Sequence, residues 1–327
     1  MSGFNILCIG QAGRLQYEAI LLAASLRRNA PGFPGRLLIA TPRPGPLWPG
    51  ENPQITDAAA LDLLADLGAE IIPFDSRAFG AHYPHGNKIE ALAHIPDEPF
   101  LFLDTDTLIT GDLSTLTPDF TRPTASMKRE GTWPQPDLYG PGYTDIWRGL
   151  YTRFGLDFET SLDLSQPDEY WQRYLYFNAG WFLHQSPREF GRLFLQFATE
   201  IARDPGPDLA CQSLDPWLDQ IALPLVIHAL GGGRPTPDLA GLDTTLTCHW
   251  RILPLFFARE SDAAVAAMEE VAADPRVKQV LTNYGPFKKM LYKGQGRDVR
   301  TLFDRANLPR KEQAIRNAIK RAGLWAR

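Results

Sequence analysis

Asp104 and Asp106 stand one residue apart, directly after the apolar run Phe100-Leu101-Phe102-Leu103. A short, continuous apolar run suits a strand buried on both faces. Alternate side chains of an extended segment point the same way, so the two carboxylates converge at the strand's end. Convergent carboxylates there seat a hard divalent cation, Mn²⁺ or Mg²⁺. A metal held by two carboxylates wants a third protein ligand, and His249 offers an imidazole acceptable to Mn²⁺. Against this stand two plainer readings. The carboxylates could accept backbone N–H bonds in a strand-end turn, and the histidine could belong to the core.

Three further groups carry chemistry. Lys88 falls in the first turn of a helix predicted over about 87–94, with Asn87 as N-cap and Glu90 at the third helical position. A lysine there faces the positive end of the helix dipole, and a residue that breaks a local rule often answers to a site. Its expected partner is Asp104 or a phosphate; a surface lysine is the alternative. Asn178, Ala179 and Gly180 interrupt an apolar strand, which suits a bulge or a close backbone approach to a ligand. Asp219 and Gln220 put a carboxylate and an amide inside an apolar helical stretch, where buried polar groups need partners. Those partners are either sugar hydroxyls or structural hydrogen bonds.

Elements that would position these residues follow from the periodicity. Phe4–Gly10 reads as a strand and Gly10-Gln11-Ala12-Gly13 as the turn after it. Leu15, Ala19, Leu22 and Leu26 recur at helical spacing, with Arg27 and Arg28 in the last turn. Strands follow at 36–40 and 69–74, separated by a helix capped by Thr56 or Asp57 and closed by Gly68. Strand–helix alternation argues a parallel α/β sheet with right-handed crossovers. Ligands of such sheets bind outside the strands' carboxyl ends, which puts the Gly10 turn and Asp104/Asp106 on one rim. Beyond residue 117 the pattern loosens. Helices are expected at 145–154, 187–203, 215–221 (disturbed by Pro224), 263–273 and 309–322, with a strand at 174–183. Gly231-Gly232-Gly233 lacks the Lys-Ser/Thr of a phosphate loop.

The chain has 327 residues, 44% of them apolar and 22% charged, ordinary values for a soluble globular protein. No apolar run approaches a membrane span, and Met1-Ser2-Gly3-Phe4-Asn5 lacks the basic start of a signal peptide. Cys8, Cys211 and Cys248 are few and scattered, as expected of buried, reduced thiols in a cytoplasmic protein. The net charge of −5 hides an asymmetry. Residues 276–327 hold 14 Lys/Arg and three Asp/Glu, a net of +11, against −16 for residues 1–275. A basic tail of this kind seeks something anionic. Ile315, Ile319 and Trp325, with Arg316, Lys320 and Arg321, suit a short interfacial helix on an anionic membrane at its inner face. No nucleic-acid partner is expected.

In order, Ala24-Ser25-Leu26-Arg27-Arg28, Lys88-Ile89-Glu90-Ala91-Leu92, Phe102–Leu108 with Gly111-Asp112-Leu113, Phe177–Gly180, Leu218-Asp219-Gln220 and Cys248-His249-Trp250 resemble the GT-A glycosyltransferases. The likeness is to the family-8, glycogenin-like and lipooligosaccharide galactosyltransferase-like group. It implies a Rossmann-like, mostly parallel sheet and transfer of a sugar from a nucleotide donor, usually a UDP-sugar, to a glycan, lipid-linked or protein acceptor. It further implies a metal on Asp104, Asp106 and His249. Gly10, Gln11 and Thr105 would then lie near the nucleotide, Lys88 near the diphosphate, and Asn178 and Ala179 around the sugar. Asp219 or Gln220 would sit beside the anomeric carbon, with retention of configuration. On this likeness residues 1–275 form the transferase domain, with a donor half to about 117 and an acceptor half beyond, and residues 276–327 a basic extension.

Two features depart from the family. Ile221 stands where an aspartate usually follows Asp-Gln, and the Gly-x-x-Lys-Pro-Trp element after the histidine is missing. Lys288, Lys289 or Lys293 would have to supply its lysine. Leu103–Leu108 also fits the nucleophile motif of haloacid-dehalogenase-like phosphohydrolases, with Asp104 attacking phosphorus, but three strand–helix units precede it. A non-catalytic binding member of the fold is the other alternative.

Overall fold

A computed structural model describes residues 3–128 and 133–326. Met1 and Ser2 of the N-terminal reading, and Arg327 at the end of the tail, lie outside the described residues. In chain order the first half carries β1 (Asn5–Ile9), α1 (Arg14–Asn29), β2 (Leu37–Pro42), α2 (Ala58–Asp66), β3 (Ala69–Phe74), α3 (Asn87–Glu90), β4 (Phe100–Leu103), β5 (Thr107–Ile109) and β6 (Thr124–Ser126). The second half carries α4 (Tyr143–Arg153), β7 (Asn178–His184), α5 (Pro187–Arg203), α6 (Leu218–Ala229), β8 (Thr247–His249), α7 (Leu253–Arg259), α8 (Asp262–Ala272), α9 (Pro275–Leu281), α10 (Gly285–Phe287), α11 (Gln295–Thr301) and α12 (Glu312–Arg321).

Six strands form the main sheet in the order β3-β2-β1-β4-β7-β6. The first four are parallel, while β7 runs antiparallel to both β4 and β6. This is the mostly parallel α/β sheet flanked by helices that the alternating pattern predicts. The central strands β1, β2 and β4 are mainly apolar and buried along their length because both faces are covered, whereas the edge strand β3 is only partly buried. Ile6, Cys8, Leu37, Ile39, Leu101 and Leu103 face one core together with α1. Leu7, Ile9, Leu38, Phe100 and Phe102 face the other, with α5 and α6.

Several expectations change at this level. Asn87 lies inside the helix with helical φ/ψ rather than capping it. Glu90 instead accepts the backbone N–H groups of Arg77, Ala78 and Phe79. The strand expected from Tyr174 begins at Asn178. Pro224 does not end its helix, which continues to Ala229. An interior proline costs about 3 kcal/mol, less than the burial of Ile221, Leu223, Leu225, Val226 and Ile227 returns at about 1.5–3 kcal/mol each. Cys211 is exposed, whereas Cys8 and Cys248 are buried. The two-stranded β5–β8 sheet is too short to leave a periodic signal.

The basic tail finds much of its acidic partner within its own chain. Arg300 and Arg305 bind Asp262 at 2.6 and 2.7 Å, and Arg297 binds Glu269 at 3.0 Å, all across to α8. Ile315 and Ile319 are 3% and 0% exposed in the core. Trp325 packs beside them under Arg316 and Lys320. The apolar face expected to meet a membrane is therefore spent on the protein itself, because it matches the apolar surface of α7 and the neighbouring helices. Among the described residues no helix is long and apolar enough to cross a membrane.

Candidate active site

β4 runs directly into Asp104-Thr105-Asp106, and three hydrogen bonds hold that turn. Thr105 Oγ1 donates to the Ile9 carbonyl at 2.5 Å, the Asp104 N–H to the Gly180 carbonyl at 2.8 Å, and the Trp250 N–H to the Asp106 carbonyl at 3.0 Å. β5 then pairs with β8, placing Thr107 opposite His249. His249 is thereby carried to the carboxylates. Its Nε2 lies 3.1 Å from Asp106 Oδ1 and 3.7 Å from Asp104 Oδ2. One ligand atom from each of the three residues falls within a 4.8 Å cluster. Adjacent ligands about 2.1 Å from a small divalent ion sit about 3 Å apart, so this O,O,N set fits one with little movement. Burial works against charge on both sides of the contact, but the attraction wins. His249 is held above its usual value by Asp106 and Asp104, and Asp106 below its own by His249, Arg14 and Lys88.

Lys88 is buried beneath this cluster. Its Nζ lies 2.8 Å from Asp104 Oδ1, 3.2 Å from Asp219 Oδ2 and 3.2 Å from the Ala179 carbonyl. Burial favours the neutral amine, yet Asp104 and Asp219 together raise its pKa, so it stays an ammonium. An ammonium has three hydrogens, and these three contacts take them. Lys88 is a strut between two carboxylates rather than an arm reaching outward.

Asp219, 2% exposed at the start of α6, is held from its other side by Tyr83. The Tyr83 hydroxyl donates to Asp219 Oδ1 at 2.9 Å and accepts the Asp219 N–H at 2.9 Å. Burial and the Asp219 charge keep that phenol protonated. Gln220 accepts from the Tyr176 hydroxyl at 2.7 Å. Asn178 caps its own strand, accepting the Gly180 N–H at 2.8 Å and donating to the Lys128 carbonyl at 3.1 Å. Gln11 accepts from Asn87 Nδ2 at 3.1 Å. Gly10 lies under Ile39 and Ile55, where a Cβ would come within 2.6 and 2.8 Å of their side chains.

Two adjoining clefts open over these groups. One, of about 340 Å³, is bounded by Asp104, Asp106, His249, Asn178, Asp219 and Gln220. The other, of about 290 Å³, runs past Gln11, Arg14 and Thr105. Lys88, His85, Asp104 and Asp106 border both. Asp104, Thr105, Asp106, His249, Lys88, Gln11, Asn178, Asp219 and Gln220 thus border these clefts and Ala179 adds its carbonyl, whereas Gly10, Lys288, Lys289 and Lys293 do not line them.

Four others were not singled out. Arg14, the first residue of α1, approaches Asp106 at 4.0 Å and Glu18 at 3.0 Å, and donates to the Arg251 carbonyl at 3.0 Å. It is a cation in a first helical turn, the same signal that marks Lys88. Glu18 is fully buried, and its contact with Arg14 is an ion contact without hydrogen-bond alignment. Burial, then Asp106, pushes its carboxyl well above the usual range. Tyr83 and Arg251 carry no comparable pattern in the sequence.

An α/β sheet whose strand ends gather two carboxylates, a histidine and a buried lysine beside a polar cleft has its candidate site where such sheets bind their ligands. The chain matches the model of the Rhodobacterales glycosyltransferase domain over residues 6–231. It belongs to that family and is a glycosyltransferase. No curated protein matches it in sequence. Among solved structures, an active-site mutant of LgtC is similar at 15% identity and a TM-score of 0.49, over 82% of this chain and 95% of the other. The galactosyltransferase LgtC in complex with donor and acceptor sugar analogs shows 14% identity and a TM-score of 0.43, over 95% and 100%. GlyE of Streptococcus pneumoniae TIGR4, a glycosyltransferase, shows 12% and 0.45, over 86% of this chain and 64% of its own.

Proposed function

We propose that the protein is a GT-A enzyme, similar to family 8, that transfers a sugar from a nucleotide-diphosphate donor, a UDP-sugar, to a hydroxyl of a glycan or lipid-linked acceptor. The observation that carries this is the convergence of Asp104, Asp106 and His249 at the strand ends, between two polar clefts. These three residues would hold Mn²⁺ or Mg²⁺. When bound, such an ion supplies Lewis-acid stabilisation to the leaving diphosphate. Lys88 orients Asp104 for that role, 2.8 Å away, and braces Asp219 below the cleft. The Gln11 and Thr105 side is the shelf for the nucleoside, and Asn178, Asp219 and Gln220 border the place for the sugar. With its oxygens engaged by Lys88 and Tyr83, Asp219 would act on charge at the anomeric centre through its field, beside Gln220 on the same cleft wall, and retention of configuration is proposed on the family-8 likeness.

The phosphohydrolase alternative is not favoured. Family membership points elsewhere, and Asp104 is committed to Lys88 and lies beside His249 rather than standing free as a nucleophile. The deciding experiment is a donor screen that follows hydrolysis of a nucleotide-sugar panel with and without Mn²⁺ or Mg²⁺. Turnover of one donor class that stops with chelator is expected. Phosphate release from phosphomonoesters, without nucleotide-sugar turnover, would overturn the reading.

A further inference from the structure

Lys88 is committed to Asp104, Asp219 and the Ala179 carbonyl, which leaves Arg14 and Arg251 as the arginines at the walls of the two clefts. Arg251 borders the larger cleft together with Asp104, Asp106 and His249. It is one of two non-glycine residues with positive φ among those described, at 62°. A left-handed residue with a long side chain persists only where its surroundings over-determine it, and such residues gather at functional sites. Here three ties do so. The Arg251 carbonyl accepts from Arg14 Nη1 at 3.0 Å, the adjoining Trp250 N–H is bound to the Asp106 carbonyl, and Arg251 Nη1 lies 3.1 Å from Glu312 Oε2. Glu312 opens α12, and the same carboxylate also takes Arg259 at 2.8 Å and Arg316 at 2.6 Å. Glu312 thus ties the guanidinium to the C-terminal helix, and the residue is half-buried at the cleft wall. A guanidinium has five donors in a planar fork that matches phosphate oxygens.

We propose that Arg251, held in place by Glu312 of α12, binds the diphosphate of the donor, so that the C-terminal helix is a working part of the donor site. The proposal rests on the nucleotide-diphosphate reading above. Arg251 touches the ligand; Glu312 acts through it, as a positioning residue. The arrangement also takes the place of the missing Gly-x-x-Lys-Pro-Trp lysine with a residue two positions after His249.

The test is calorimetric titration of the full chain, with Mn²⁺, by UDP, GDP, ADP and CDP and by the matching nucleosides. Arg251→Ala should weaken the preferred diphosphate tenfold or more and leave its nucleoside within about twofold. Glu312→Ala should show the same diphosphate-selective loss, and the double variant should be no weaker than Arg251→Ala alone. If Glu312→Ala melts early, Glu312→Gln, which keeps the side chain's shape, replaces it and should lose affinity for the diphosphate by a smaller factor in the same selective way. Arg251→Lys should restore part of the diphosphate affinity. Wild-type binding with an unchanged Arg251→Ala affinity would overturn this inference and leave the donor-site reading standing. Equal losses for nucleoside and diphosphate would also overturn it, marking the pair as structural. Failure of the wild type to bind any of the four diphosphates would remove both.

Discussion

Gly180 lies against the imidazole of His249: a Cβ built on Gly180 would stand 2.5 Å from Nδ1 and 2.9 Å from Cε1 of that ring. The break of Asn, Ala and Gly in the apolar strand predicts a bulge or a close approach to a ligand, and the pairing with β6 does shift register here, from Ala125–Phe182 to Ser126–Asn178. The close approach is to a side chain that would itself hold one. Gly180→Ala is expected to push His249 off the carboxylates while leaving β7 intact. Mn²⁺ affinity should fall about tenfold or more, equivalent to at least ~1.4 kcal/mol, with little change in the far-ultraviolet circular dichroism spectrum.

Asp104 and Asp106 supply both oxygens of the cluster. Replacing either by Asn keeps the shape and removes the charge that a divalent ion requires. Asp104→Asn and Asp106→Asn should each abolish Mn²⁺-dependent UDP binding in titration calorimetry. Unchanged affinity would remove the metal from this site.

Lys88→Met takes the cation from between two carboxylates, one of which is 2% exposed. Removing one partner of a buried pair costs about 3–5 kcal/mol. Urea unfolding should show a loss of that order, and adding Asp219→Asn to Lys88→Met should recover part of it. A loss below about 1 kcal/mol, the size expected of an exposed ion pair, would mean that Lys88 is not a strut.

Tyr83 reaches Asp219 only through its hydroxyl, which both donates and accepts there. Tyr83→Phe strands one carboxylate oxygen and one N–H at a cost of about 1–3 kcal/mol. The expected kinetic signature is a drop in kcat with KM for the donor nearly unchanged, since Tyr83 does not border either cleft.

Burial pushes the Glu312 carboxyl up, but Arg316, Arg251 and Arg259 together hold it below its ordinary value of 4.5. A lowered folded pKa means a contribution to stability that is complete above 4.5 and fades as pH falls through the lower folded value. Glu312→Gln should therefore be less stable than wild type at pH 7, by about 1–2 kcal/mol for a charged hydrogen bond at a part-exposed site. The two proteins should converge well below pH 4. Parallel urea midpoints from pH 7 to pH 3 would contradict this.

Residue order alone was enough for β4, an unbroken apolar run, for the limits of β3 and α5, and for a cap at Thr56 or Asp57, of which Asp57 accepts from Ala59 and Ala60. Those features are local: a strand buried on two faces reads as an unbroken apolar run, and a cap is decided within three residues. The same locality made Asp104 and Asp106 legible, because a period of two puts them on one side of one strand. What Lys88 binds, where His249 lands and what the basic tail does are different in kind. Lys88 meets Asp219 only because α3 and α6 pack below one rim, and His249 meets Asp106 only through the β5–β8 pair. The tail's charge reads as an attraction to something anionic, but only packing could choose between a membrane and α8. Packing brings Arg300 to Asp262 and Arg297 to Glu269, and separately buries Ile315 and Ile319 of α12 inside the protein. Charge and period are properties of a segment, whereas a partner is a property of the whole fold.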